Sequence, residues 1–171
     1  YQLLGGKTND NLRTYASQLQ FDWDSECVKL TEPAQYAEAA LKAVAEGYDA
    51  VKVDPIVYDE HGNSSFDRTN LFTPKQMRLF GDRLRAIRNA VGEDVDIIFE
   101  AHSLMGCASA IQMGSVIEEV GCMMFEEPVN YLNSAVHKKV EQNVKVPIAG
   151  GERLYHRWDA RPYFEDQSID V

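Results

Sequence analysis

The sequence predicts an α/β fold built as part of a (β/α) barrel of the TIM type, and three observations carry that prediction. Short apolar runs alternate with helical periodicities, and from Val95 onward the unit returns about every 25 residues. Strand alternating with helix at this spacing implies a parallel sheet with right-handed crossovers. The residues able to carry chemistry, Lys52, Asp54, Glu100, His102, Glu126 and Glu152, all fall at the C-terminal ends of expected strands, where barrels place their sites. A doubly wound sheet, the rival architecture, usually announces a nucleotide site by a glycine-rich first turn, and neither GxGxxG nor GxxxxGK followed by Ser or Thr occurs. About six strands can be counted, whereas a closed barrel needs eight and typically about 250 residues. The 171 residues are therefore expected to form an incomplete barrel.

Taken in order, Arg13 to Leu19 alternates weakly as a first strand, and a polar, acidic stretch follows to Glu32. Pro33 opens a helix with Thr31 as candidate cap; Tyr36, Ala39, Ala40, Ala43 and Val44 form its apolar stripe, and Gly47 closes it. Ala50 to Val53 is a strand, and the polar segment from Val57 to Phe72 is a loop. A helix from Thr73-Pro74 to about Ala90 carries Met77, Phe80, Leu84 and Ile87 at three- and four-residue steps. Then follow strand Val95 to Phe99, helix Ala108 to Glu119, strand Met123 to Phe125, helix Ser134 to Gln142 and strand Val146 to Ala149. Arg157 to Asp166 reads as a helix made imperfect by Pro162, and Ser168 to Val171 as the opening of a further strand. With no Met before Tyr1, the chain is expected to be a piece of a longer one.

Composition fits an ordinary globular protein, 44% hydrophobic and 26% charged. A formal net charge of −10 argues against nucleic acid or an anionic membrane as the main partner. No stretch approaches the roughly 18 apolar residues of a membrane span, and no signal segment opens the chain. Cys27, Cys107 and Cys122 lack the pairing or CxxC spacing of a disulfide or zinc framework, which suits a reducing cytoplasm, and they read as buried small hydrophobes.

The strongest functional signal is three acids at equal intervals: Glu100 in IIFEAHS, Glu126 in MMFEEPV and Glu152 in IAGGERL, with 126−100 = 26 and 152−126 = 26. Each follows an apolar run, so neighbouring strands deliver one carboxylate each to the same end of the sheet. Uncompensated buried charge is costly, and a divalent cation is the usual compensation. Residues i and i+2 on a strand share a side, so Glu100 with His102, and Lys52 with Asp54, are expected to face the mouth together.

These strand ends, Lys52-Val53-Asp54-Pro55, Glu100-Ala101-His102, Phe125-Glu126-Glu127-Pro128 and Gly151-Glu152-Arg153-Leu154, resemble the enolase superfamily. The likeness is to its mandelate racemase/muconate lactonizing enzyme branch, in particular the sugar-acid dehydratases of the galactonate dehydratase type. Tyr1 to Lys7 resembles the segment leading from that family's N-terminal capping domain into its barrel. The resemblance thus implies a linker over 1–11, a missing capping domain, and the first part of the catalytic barrel over 12–171. It implies Mg²⁺ on Glu100, Glu126 and Glu152, holding the substrate carboxylate and stabilising the enediolate left when the α-proton is removed. His102 stands where galactonate dehydratases carry the general acid that protonates the departing β-hydroxyl. Lys52 matches the first Lys of the family's Lys-x-Lys pair, near the substrate carboxylate. Asp54 replaces the second Lys, a base in the racemases, which favours dehydration over two-base racemisation. In the dehydratases the base is a histidine on a later strand.

The resemblance also implies a small sugar-acid substrate, a homo-oligomer and an inactive isolated segment. Arg153 is expected to bind acid oxygens or to pair with a neighbouring carboxylate, Glu127 to support the site from behind, and Lys52 and Asp54 to act directly or form an ion pair. His61, His137 and His156 are expected at the surface, and Trp23 as a packed aromatic. An epimerase or racemase of a 2-hydroxy acid, or a catalytically silent binding homologue, are the rival functions.

Overall fold

Short, mostly apolar runs of two to five residues, each ending at an acid or just before a polar turn, set the wall of the fold. In this computed structural model, which describes residues 1–24 and 26–171, they form β1 (Ala50–Val53), β2 (Asp96–Glu100), β3 (Met124–Glu126) and β4 (Ile148–Ala149). All pair in parallel, in the order β1-β2-β3-β4. Every strand neighbours its sequence successor, with no reversal of winding direction, which makes this the wall of a partial (β/α) barrel and not a doubly wound sheet.

The first expected strand, Arg13 to Leu19, is a correction. Only Ala16 bridges Val51, giving its N–H to Ala50 O at 2.9 Å and receiving the N–H of Lys52 at 2.7 Å. Gln18 has φ 65°, and a 3₁₀ turn at Leu19–Phe21 then carries the chain off the sheet edge. The last expected strand touches β4 through Asp170 N–H to Ile148 O at 2.7 Å and Gly150 N–H to Val171 O at 3.1 Å. Of the six strand positions, four are regular strands among the described residues. β4 is shorter than expected because Pro147 brings no N–H to the ladder.

Side-chain alternation gives the sheet two apolar faces. Val51, Val53, Ile97, Phe99, Phe125 and Ile148 join the main core, with the Phe99 and Phe125 rings edge to face at 4.9 Å. Ile98, Met124 and Ala149 form a separate cluster on the opposite, inner face. Lys52, Glu100 and Glu126 share that inner parity, since Lys52 pairs with Ile98 and Glu100 with Glu126 in register.

Among the described residues five α-helices, α1 (Pro33–Ala45), α2 (Pro74–Val91), α3 (Cys107–Val120), α4 (Ser134–Glu141) and α5 (Arg157–Asp166), pack each against the next. Each of α1 to α3 buries one stripe: Tyr36, Ala39, Ala40 and Ala43 on α1, Phe80, Leu84 and Ile87 on α2, Ala110, Met113 and Ile117 on α3. Thr73 caps α2, accepting the Gln76 N–H at 3.2 Å. The α1 cap is Glu32 and not Thr31; Gln35 reaches back to accept the N–H groups of both, each at 3.0 Å. α5 accommodates Pro162, which costs one hydrogen bond on a helix that buries only Tyr163.

The polar segment after β1 is a loop held from below by two arginines. Arg68 donates to Ile56 O at 2.9 Å and Val57 O at 2.6 Å. Fully buried Arg83 on α2 donates to the carbonyls of Thr31, Pro55, Tyr58 and Asp59. The loop lies so close to the start of α3 that a Cβ at Gly106 would stand 2.0 Å from Thr69 O.

Among the remaining expectations, Trp23 packs edge to face on Tyr48 at 5.4 Å, and His61 and His156 are exposed. His137 is not at the surface: it lies on the face of α4 that carries Val140 and is 2% exposed. Cys122 is buried, but Cys27 is exposed, and Cys107, the first residue of α3, is half-buried against the core. No described helix is long and apolar enough to cross a membrane.

Candidate active site

At the C-terminal edge of the sheet, Glu100, Glu126 and Glu152 each bring one carboxylate oxygen within 4.8 Å of the others. Glu100 and Glu126 are the last residues of β2 and β3, in direct register. Glu152 comes from the turn after β4, where Gly151 has φ 129°, a conformation that side chains disfavour. Oxygens at opposite vertices of an octahedral Mg²⁺ site lie about 4.2 Å apart. Adjacent ones lie about 3.0 Å apart, so the trio would draw together around an ion, and hard carboxylate donors are the right chemistry; these residues fit a divalent cation.

Lys52 stands between two of these acids, its Nζ 2.9 Å from Glu100 Oε2 and 2.9 Å from Glu126 Oε2, with the Tyr15 ring centroid at 5.1 Å. Burial alone would pull the ammonium pKa down, yet the hydrogen bonds to Glu100 and Glu126 outweigh it and the value is raised. Burial pushes the Glu126 carboxyl up; Lys52 opposes this and the Glu100 charge adds to it. Lys52 therefore pairs with Glu100 and Glu126 rather than with Asp54.

Asp54 follows β1, is fully buried at its side chain, and accepts from His102 Nδ1 at 2.8 Å and from the Ile56 N–H at 3.0 Å. This fixes the tautomer: Nδ1 carries the proton shared with Asp54, and Nε2 is the atom free to exchange one. The hydrogen bond that His102 donates to Asp54 raises the His102 pKa against the opposing effect of burial. His102 does not reach the site by strand alternation. β2 ends at Glu100, and His102 and Ser103 adopt φ of 51° and 60°, in a turn that the His102 N–H anchors to Glu100 Oε1 at 3.0 Å. Left-handed non-glycine residues clustering at one loop are a recurrent mark of functional sites.

Lys52, Asp54, Glu100, His102 and Glu152 line one pocket of about 230 Å³ together with Ser17, Gln18 and Gln20. The last three were not singled out in the sequence. Their signal was the polar run where an apolar first strand should end, and Gln20 also accepts the Asp54 N–H at 3.2 Å. Arg153 does not line this pocket. Its guanidinium pairs with buried Glu127 and lies 3.7 Å from Glu152 Oε1, beside a groove formed by Tyr131, Tyr155 and Trp158. Glu127 also accepts from Ser103 Oγ at 2.9 Å, so it joins the turns that carry His102 and Glu152.

Comparison with known proteins gives the chain its relatives. Over 171 residues the chain is 33% identical to D-gluconate dehydratase of Thermoproteus tenax, covering all of this chain and 31% of that protein. It is 30% identical to D-gluconate/D-galactonate dehydratase of Picrophilus torridus, again over its whole length and 40% of the relative. A solved structure of an enolase superfamily member from Salmonella Typhimurium superposes with a TM-score of 0.94 at 51% identity, over 98% of this chain and 44% of that one. The chain thus spans less than half of each of these proteins. The enolase C-terminal domain-like family model matches residues 35–171, and the chain belongs to that family.

Proposed function

We propose that this chain carries the metal site and the proton donor of a Mg²⁺-dependent dehydratase acting on aldonic or related sugar acids. The observation that carries the reading is the convergence of three carboxylate oxygens within 4.8 Å beside an Asp54-oriented imidazole. The names of the relatives, gluconate and galactonate dehydratases, supply the substrate class. Glu100, Glu126 and Glu152 would hold the cation. Once bound, Mg²⁺ would act as a Lewis acid that offsets the second negative charge appearing on the substrate carboxylate when the α-proton leaves.

The remaining work falls to the chain's own side chains. Lys52 places a fixed positive charge beside the carboxylate-binding end of the pocket, where donors already in position cost no reorganisation. His102 gives its Nε2 proton to the β-hydroxyl, which leaves as water, since hydroxide is too poor a leaving group unaided. Asp54 acts through His102, holding its ring and stabilising its charged form. Neither Lys52, engaged by two acids, nor His102, engaged by Asp54, is arranged as the base that takes the α-proton, so that role is assigned to neither. Loss of the α-proton and the β-hydroxyl leaves an enol that tautomerises to a 2-keto-3-deoxy acid.

The test is to incubate the full-length protein with D-gluconate and D-galactonate, with Mg²⁺ and with chelator. Metal-dependent release of a 2-keto-3-deoxy acid is the expected result. Exchange of the α-hydrogen with solvent deuterium and no keto acid would assign an epimerase instead, and tight binding with neither reaction a silent homologue.

A further inference from the structure

Behind the candidate metal site, two residues that each carry an unpaired buried polar atom line the same small cavity. Glu127 and His137, each 2% exposed, have Oε1 and Nδ1 respectively without a hydrogen-bond partner in the protein. Both residues line a cavity of about 10 Å³ together with Gly150, Gly151, Leu154 and Tyr163. Orphaned buried polar groups cost about 1–3 kcal/mol each, so a pair of them at one void calls for a shared partner.

The chemistry of that partner follows from the two atoms. His137 Nε2 lies 3.1 Å from the Val129 carbonyl, which can only accept, so Nε2 carries the ring proton and Nδ1 is an acceptor. Glu127 is also an acceptor; its other oxygen already receives Ser103 Oγ and the Arg153 guanidinium. Two acceptors cannot bond each other. They need a small molecule with two donor hydrogens, and the cavity has room for about one water.

We propose that this cavity is a single-water site, in which one molecule donates to Glu127 Oε1 and His137 Nδ1 and makes His137 a positioning residue for the metal site. The link runs from α4 through the water to Glu127. From there it reaches Ser103, next to His102, and Arg153, next to Glu152. Glu127 has φ 45°, so its backbone is held in a conformation that needs such support. The water site itself stands on burial and hydrogen-bond accounting and does not depend on the dehydratase assignment.

A high-resolution crystal structure of the full-length protein tests it first. The expected result is one ordered water within hydrogen-bond distance of both atoms. An empty cavity, or either atom paired to a protein group, overturns the proposal. His137→Phe should expel the water, keep the far-ultraviolet circular dichroism spectrum, and weaken Mn²⁺ binding, read by electron paramagnetic resonance, by about 3- to 10-fold, at or below the low end of the usual cost of losing a supporting group. His137→Asn, which is polar but shorter, should keep a water and recover most of that affinity. Unchanged Mn²⁺ affinity in His137→Phe would overturn the positioning role even if the water is seen.

Discussion

Glu100 and Glu126 reach the site from regular strands and are bridged by Lys52, with side chains 4% and 16% exposed; Glu152 arrives from the turn after Gly150-Gly151 and leaves 56% of its side chain open. One flank of the site is thus preformed and charge-compensated before any cation arrives, and the other is delivered by a turn. The difference has an energetic basis. Two nearly buried acids side by side would repel, and Lys52 offsets part of that repulsion at close range, whereas an exposed acid needs no such partner. In the proposed function a cation would bind to acids that a lysine already engages, so its affinity would depend on how readily Lys52 yields.

The largest effect is expected from His102, the proposed proton donor. If the proposed dehydratase activity holds, His102→Asn in the full-length protein should lower kcat by about 10²- to 10⁴-fold, with Mn²⁺ affinity nearly unchanged; a parallel loss of metal would place His102 in the ion-binding flank instead. Next, Lys52→Met should destabilise the metal-free protein by about 3–5 kcal/mol, as expected when a buried charge pair is broken. Added Mg²⁺ should restore more of the Tm in this variant than it raises the Tm of the parent. Equal Mg²⁺-induced shifts would show that Lys52 does not stand in for cation charge.

Smaller effects separate the two flanks directly. Glu100→Gln should cost about 1–3 kcal/mol in denaturant unfolding without metal, because Lys52 loses a charged partner. Glu152→Gln should stay within about 0.5 kcal/mol, as for an exposed site, while both variants lose Mn²⁺ binding. Equal stability losses would dissolve the distinction. The smallest effect concerns pH. Burial lowers the His137 pKa, only partly offset by its hydrogen bond to Val129 O. Folding therefore favours its neutral form, and the stability this contributes is present above about pH 6.5, the ordinary histidine value. It is lost as pH falls below that value toward the depressed folded one. Tm measured from pH 7.5 to 5.5 should fall more steeply in the parent than in His137→Phe.

The preformed flank was legible in the sequence because parity and register are simple. An apolar run ending in an acid, repeated at 26 residues, fixes which strand end carries each carboxylate. What stayed illegible lies in the turns. Nothing in the residue types of His102, Ser103 and Glu127 announces a left-handed backbone, which is imposed by tertiary hydrogen bonds such as Ser103 N–H to Glu127 O at 2.8 Å. The first strand failed at Gln18 for the same reason. Two other misses did leave a signal. His137 stands three residues before Val140, and Arg83 lies among Phe80, Leu84 and Ile87, so helical spacing alone puts both on buried faces.

Arg83 sets a rule for anyone building chimaeras from this scaffold. Its guanidinium spends all five N–H donors on main-chain oxygens from two separate segments, and a lysine could offer only three. The stretch after β1 and position 83 on α2 therefore form one discontinuous cassette. Transplanting the stretch without its arginine would strand several carbonyls, and the graft would fold poorly even with every exchanged residue in place.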